Sequence, residues 1–348
     1  MNKVDFYNLL KATPKAELHL HEEAVIGENT IRRLYKENLG KDITDEELST
    51  LFSYNDLPGF LDCFIEVQKL FVKTSDLALV FNDLGQYIKD NNIVNCETFF
   101  SPTSHLKKGF SFTEMSDILT EGTKKLEENT GCRVRILVDV SRTFGLENAM
   151  HNLDLVLAAH NPYIIGIGLG GDEEKGPAKD YAPVFEKAWK AGLHVVAHAG
   201  ETVESYSMKD SVKYLHAERI GHGLTAGYDP EYMKELAQTR LPLEVCPTSN
   251  TFTGKYVKNI KEHPIKKLYD AGINVTVNTD DPTFFKVSLI DEYWNIYSNL
   301  GFSIEDIRTL IRNSFFASFA TPKEKEAWCA KLDTVWNAWF KAHPDAKN

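Results

Sequence analysis

The 348-residue chain predicts an α/β fold, a (β/α)8 barrel of the TIM type with extra helices after the first strand and at the C-terminus. Three observations lead there. Counted from His19, eight strand-like runs are each followed by helical sequence, and that number of units fits a barrel of about 250 residues with additions. Many of these runs are continuously apolar, as strands buried on both faces are. No Gly-x-Gly-x-x-Gly turn follows an early strand, which argues against an open doubly wound sheet. Ile167-Gly168-Leu169-Gly170-Gly171 is rich in glycine but lacks that spacing and the helix after it.

The elements follow in order. Residues 1–13 read as a short helix with Phe6, Leu9 and Leu10 on one face, ended by Pro14. Ala16-Glu17-Leu18-His19-Leu20-His21 is the first strand, and because residues i and i+2 share a face, His19 and His21 project together from its end. Residues 28–92 read as a helical insertion, with apolar residues at three- and four-residue spacing over 57–71 and 76–88. Pro58 suits a first turn and Thr74-Ser75-Asp76 a cap for the next helix. The insertion is placed to cover a pocket, with 40–75 as a candidate lid. Strands are predicted at 93–100, 133–140, 163–169, 194–198, 219–222, 241–246 and 273–278. Between them lie helices at 111–129, 146–160, 181–191, 207–216, 230–238 and 264–271, with Gly192 and Gly272 as stop signals. Residues 286–341 are helical, with Trp294, Leu310, Phe315, Phe316, Trp328, Trp336 and Trp339 as apolar anchors. Residues 1–348 are read as one barrel domain, and nothing in the sequence sets an oligomeric state.

Composition narrows the class. A net charge of −11 argues against a nucleic-acid surface or an anionic membrane surface as partner. No apolar run reaches the roughly 18 residues of a membrane span, and Met1-Asn2-Lys3-Val4-Asp5 lacks the core of a signal peptide. A cytoplasmic enzyme is expected. Cys63, Cys96, Cys132, Cys246 and Cys329 are scattered and form no Cys-x-x-Cys pair, as fits reduced, mostly buried thiols. Cys246-Pro247 reverses the Pro-Cys-x-x-Cys element of the cytidine-deaminase type of zinc site, so that site is absent.

In a barrel of this kind the chemistry sits at the C-terminal ends of the strands. Those ends carry His19 and His21, then His198 with Gly200 and Glu201, then His222, then Asp280 and Asp281. Taken singly, His222 reads equally as a core histidine and Asp280 as a cap before Pro282. Taken together they assemble a reaction. His19, His21, His198 and Asp280 offer three nitrogens and one oxygen, enough to hold one Zn²⁺ with a position left for water. Such an ion lowers the pKa of its water toward roughly 7. His222 and Asp281 are placed to orient that water or take its proton, and Glu201 to donate a proton to the substrate.

Glu17-Leu18-His19-Leu20-His21, His198-Ala199-Gly200-Glu201, Arg219-Ile220-Gly221-His222-Gly223, Cys246-Pro247-Thr248-Ser249-Asn250 and Asn278-Thr279-Asp280-Asp281-Pro282 occur in order along nearly the whole chain. Together they resemble the adenosine deaminase family. The resemblance implies a barrel of the amidohydrolase kind with one Zn²⁺ held by His19, His21, His198 and Asp280. It implies Glu201 as the acid that protonates N1 of the purine, and His222 and Asp281 as the groups that orient the attacking hydroxide. Asp281 could also bond N7, the backbone N–H of Gly171 would meet N3, and His21 would border the substrate.

The same resemblance bears on the substrate, a small-molecule purine nucleoside or base. Glu23 occupies the acidic position that contacts the ribose 5′-hydroxyl in nucleoside deaminases, and a Glu there is closer to the adenine deaminase branch. Phe99-Phe100-Ser101-Pro102-Thr103-Ser104-His105 also resembles that branch, whereas Ile220-Gly221-His222-Gly223 has the adenosine form. Gly168 stands where the nucleoside enzymes often carry Asp. Glu22 is read as a solvated loop charge. Adenosine and 2′-deoxyadenosine are the expected substrates, ahead of adenine and of a 5′-modified adenosine such as aminodeoxyfutalosine. A non-catalytic nucleoside-binding protein would be marked by a missing ligand or acid, and none is missing here. A phosphoesterase or amidase on this barrel would show a bridging lysine or a second metal set.

Overall fold

The computed structural model describes residues 1–54 and 57–344. Its strands are β1 (Lys15–His21), β2 (Ile93–Phe100), β3 (Arg133–Asp139), β4 (Ile164–Leu169), β5 (His194–Ala199), β6 (Arg219–His222), β7 (Leu243–Val245) and β8 (Val275–Val277). All pair in parallel in the order β1 to β8, as alternating βα units require. Closure between β8 and β1 runs through the Leu20–Asp280 bridge: His21 N–H donates to Asp280 O at 2.9 Å and Asp280 N–H to His19 O at 3.1 Å. The Asn278 side chain adds a bond, accepting from Leu18 N–H at 2.9 Å.

The insertion is helical as expected, at Glu28–Leu39, Asp45–Leu51, Leu57–Lys69 and Ala78–Asn91. Pro58 falls in the first turn of its helix. Thr74-Ser75-Asp76 differs from its expected role. It forms a 3-10 turn, and the Asp76 carboxylate accepts from Val72 and Lys73 N–H, tying down the chain before the helix instead of capping it. At the other end, helices Leu289–Leu300, Ile304–Ala317 and Pro322–Ala342 pack on the barrel. Phe316 is not an anchor there. It is 55% exposed, because it lies one residue, about 100° around the helix, from the fully buried Phe315. The cysteines are free, and all but Cys329 are buried. Among the described residues no helix is long and apolar enough to cross a membrane.

Apolar packing divides into two parts. A large cluster fills the space between sheet and helices. A small one, Phe99, Leu137 and Val196, packs with Ile165 and Phe319. Beside it lies a buried ion network. Arg219 donates to Glu97 at 2.6 Å and to Glu244 at 2.5 Å, with its guanidinium 3.8 Å from the Phe319 ring centre. Two carboxylates without water need that cation. Arg219→Leu is therefore expected to cost about 3–5 kcal/mol in urea unfolding. A loss below about 1 kcal/mol would mean that the network relaxes around a neutral residue.

Candidate active site

Four strand ends supply the site. His19 and His21 leave the end of β1 together, as their alternation required. His198 comes from β5, His222 closes β6, and Asp280 and Asp281 follow β8. Two of these residues hold unusual backbone. Among the described non-glycine residues with positive φ, Asn92, His160, His216, Arg240 and Lys286 end helices. His222 (φ 63°) and Asp280 (φ 68°) do not; they turn the chain at strand ends. Left-handed backbone at such positions costs about 1–3 kcal/mol and clusters at functional sites.

His19, His21, His198 and Asp280 bring one donor atom each to within 4.8 Å of one another. His21 Nε2 lies 3.3 Å from His198 Nε2 and 3.1 Å from Asp280 Oδ1, and His19 Nε2 lies 3.4 Å from the same oxygen. Ligands about 2.0–2.1 Å from one tetrahedral ion are about 3.3 Å apart, so these spacings fit a common metal ion. His19 Nε2 is fully buried and makes no hydrogen bond, as a nitrogen reserved for a metal would. The field agrees. Burial opposes charge on both rings, yet Asp280 and Glu244 draw His19 up to about 9, and Asp280 and Asp281 draw His21 up to about 10. His198 is instead held well below its usual range by burial and by its histidine neighbours, so the acidic groups act on the first two rings.

The supporting contacts fix each group. His19 Nδ1 donates to Glu244 Oε2 at 2.8 Å, leaving Nε2 bare, and Arg219 holds Glu244 in place. Ser249 Oγ donates to Asp280 Oδ2 at 2.7 Å. The Phe99 ring packs against His19, His21 and His198 at 4.9, 5.4 and 5.2 Å between centroids. Arg142 donates to the His198 carbonyl at 2.6 Å.

Glu201 sits beside this group on the turn after β5. Its Oε1 accepts from Thr253 Oγ1 at 3.1 Å, and its Oε2 lies 3.6 Å from His222 Nε2. Burial, then the charges of Asp280 and Glu173, push its pKa up to about 8. Glu173 shapes the turn. Its carboxylate accepts the backbone N–H groups of Gly200 (2.6 Å), Glu201 (3.1 Å), Thr202 (2.8 Å) and Val203 (3.3 Å). Burial, and then Asp280, raise Asp281 well above the usual carboxylate range, while burial pushes His222 down to about 3.

The remaining predicted residues frame the group. Gly171 follows β4 with φ 92°, and a β-carbon there would meet Thr143 Oγ1 at 2.5 Å, so glycine is required by both backbone and space. Glu23 is buried, accepts from Ser101 N–H at 3.1 Å and lies 3.7 Å from His105 Nε2. Glu22 is not solvated. It is 2% exposed and 3.5 Å from Thr98 Oγ1, because a 3-10 turn at Glu22–Val25 tucks both carboxylates inward directly after β1. A β-carbon at Gly168 would lie 3.3 Å from Asp139 Oδ1, so a carboxylate from β3 stands beside this glycine. Asp139, Arg142 and Glu244 went unmarked in the sequence, since each is a single polar residue in or just after a strand and its partner is remote. Glu173 likewise gives no local signal, because the amides it accepts from begin 27 residues further along.

A parallel barrel with three histidines and an aspartate converging at its C-terminal strand ends, and a glutamate with a raised pKa beside them, has the layout of a hydrolase that could hold a metal ion. A sequence profile of the family described as "Adenosine deaminase" matches residues 14–335. The chain belongs to the adenosine deaminase family. It is similar to an aminodeoxyfutalosine deaminase of Streptomyces avermitilis (32% identity, spanning 97% of this chain and 95% of that one). It is also similar to an adenosine deaminase of Clostridium acetobutylicum (33% identity, 92% and 97%). The crystal structure of an adenine deaminase from Arthrobacter aurescens superposes with a TM-score of 0.88 at 28% identity, covering 94% of this chain and 100% of that one.

Glu244→Gln keeps the shape but weakens the acceptor that orients His19. Metal affinity is expected to fall roughly 10–100-fold in chelator competition; unchanged affinity would remove Glu244 from the metal centre.

Proposed function

We propose that the protein is a zinc-dependent hydrolase that removes the 6-amino group of an adenine ring as ammonia. The observation that carries this reading is the pairing of the His19, His21, His198 and Asp280 group with Glu201 beside it, whose pKa burial raises to about 8. Zinc held by those four side chains supplies the Lewis acidity that makes water nucleophilic at neutral pH. Glu201 gives its proton to N1, so the ring can accept electrons when water attacks C6. His222 and Asp281 orient the attacking water, and Asp281 also bonds N7. One proton of the attacking water passes to the amino nitrogen, which leaves as ammonia when the C6–N bond breaks, and the other returns to Glu201 as the C6–O bond becomes the carbonyl of the 6-oxo purine. Gly171 N–H binds N3, His21 borders the ring, and Glu23 faces the substituent on N9. The five free cysteines, four of them buried, fit a reducing compartment and support a cytoplasmic location.

Adenosine and 2′-deoxyadenosine are the proposed substrates. Free adenine is a second reading, favoured by the proximity of Glu23 to His105, which joins the two features that resemble the adenine branch. A 5′-modified adenosine such as aminodeoxyfutalosine is a third, favoured by the similarity to the Streptomyces enzyme over 97% of this chain.

Ultraviolet-monitored deamination by the zinc-loaded protein separates these readings. Adenosine should lose its spectrum fastest among adenosine, adenine and aminodeoxyfutalosine. Faster loss from either of the others reassigns the N9 substituent, and turnover of none contradicts the proposal. Glu201→Gln should keep its zinc and lose at least 100-fold in kcat; near-wild-type turnover would remove Glu201 as the acid. Because the pKa of Glu201 is raised, the acid is present below about 8 and lost above it. The profile of kcat/KM should therefore fall as pH rises through that value. A flat profile to pH 9 would contradict the role.

A further inference from the structure

Behind His222, on the ring edge opposite Glu201, a chain of hydrogen bonds runs through Asn250 and His263 to one backbone amide. Ile265 N–H donates to His263 Nδ1 at 3.1 Å. An amide N–H can only donate, so Nδ1 is bare and the His263 hydrogen sits on Nε2. That Nε2–H lies 3.1 Å from the Asn250 side chain and needs an acceptor, which fixes the amide oxygen toward His263. The Asn250 NH2 is thereby turned to His222, 3.2 Å from Nδ1, and Nδ1 must accept. The His222 hydrogen is left on Nε2, the nitrogen 3.6 Å from Glu201 Oε2 and 4.0 Å from Asp280 Oδ2. His222, Asn250 and His263 are all buried, so the opposite amide orientation would set two donors face to face away from water.

We infer that His263, acting through Asn250, fixes the proton of His222 on Nε2. His222 then serves as a hydrogen-bond donor to the attacking oxygen, not as the base that takes its proton. His263 and Asn250 are positioning residues for this step. The catalytic consequence rests on the deaminase reading above; the tautomer does not.

The test is long-range ¹H–¹⁵N spectroscopy of the zinc-loaded full chain labelled at histidine, with the His222 signals assigned by difference from His222→Gln. Both His222 and His263 should show the Nε2-protonated pattern. Asn250→Asp offers an acceptor to both rings, so His222 should move its proton to Nδ1. Zinc content should hold, KM should change little and kcat should fall about 100-fold, the scale of a lost donor to the reacting oxygen. His263→Leu removes the donor that orients Asn250. It should give mixed tautomers and about a tenfold loss of kcat, and His263→Gln, whose amide can donate in the same place, should restore most of it. A wild-type His222 protonated on Nδ1 overturns the relay, as does an unaltered tautomer in His263→Leu. A shifted tautomer in Asn250→Asp with kcat unchanged overturns the donor role. The expected tautomers in a protein that deaminates none of the three purines overturn the deaminase reading and leave the relay standing.

Discussion

The structure depends on Asp280. Its backbone closes the barrel, giving its N–H to His19 and taking the N–H of His21. Its Oδ1 is the common neighbour of His19 and His21, and its Oδ2 takes the Ser249 hydroxyl. The left-handed backbone at this residue makes both possible, since it turns the carboxylate into the barrel mouth at the seam. A seam that slipped by one residue would turn His19 and His21 to the opposite face. Barrel closure and assembly of the donor group are thus one event.

A second constraint is charge. Glu97, Glu244, Asp280 and Asp281 are buried in the barrel, Glu201 stands partly exposed beside them, and Arg219 is buried against Glu97 and Glu244. Burial first, and then the negative charge of Asp280, raises the pKa of both Glu201 and Asp281. A cation among the histidines would offset that buried negative charge.

Much of this was legible in the sequence. The barrel followed from the alternation of apolar runs and helical segments, and the strand ends named the donor group because period-two geometry put His19 and His21 on one face. β7 and β8 are shorter at both ends than the runs 241–246 and 273–278 suggest, because apolar residues extend into the turns on either side. The short helices Thr103–Lys107, Pro247–Thr253 and Pro282–Phe285 were missed because each is too brief to show a period. The burial of Glu22 is not legible, because a charge after a strand looks solvated and only the 3-10 turn at Glu22–Val25 buries it. Supporting residues such as Glu244, Glu173 and His263 are set by partners 225, 27 and 13 residues away, a spacing no local pattern records.

The most direct measurement is a crystal structure of the zinc-loaded protein with anomalous data collected across the zinc edge. The expected result is one peak within about 2.0–2.2 Å of His19 Nε2, His21 Nε2, His198 Nε2 and an Asp280 oxygen, with Glu201 facing it across an open position. A peak elsewhere, or none among these four residues, would contradict the account of the seam as a metal centre.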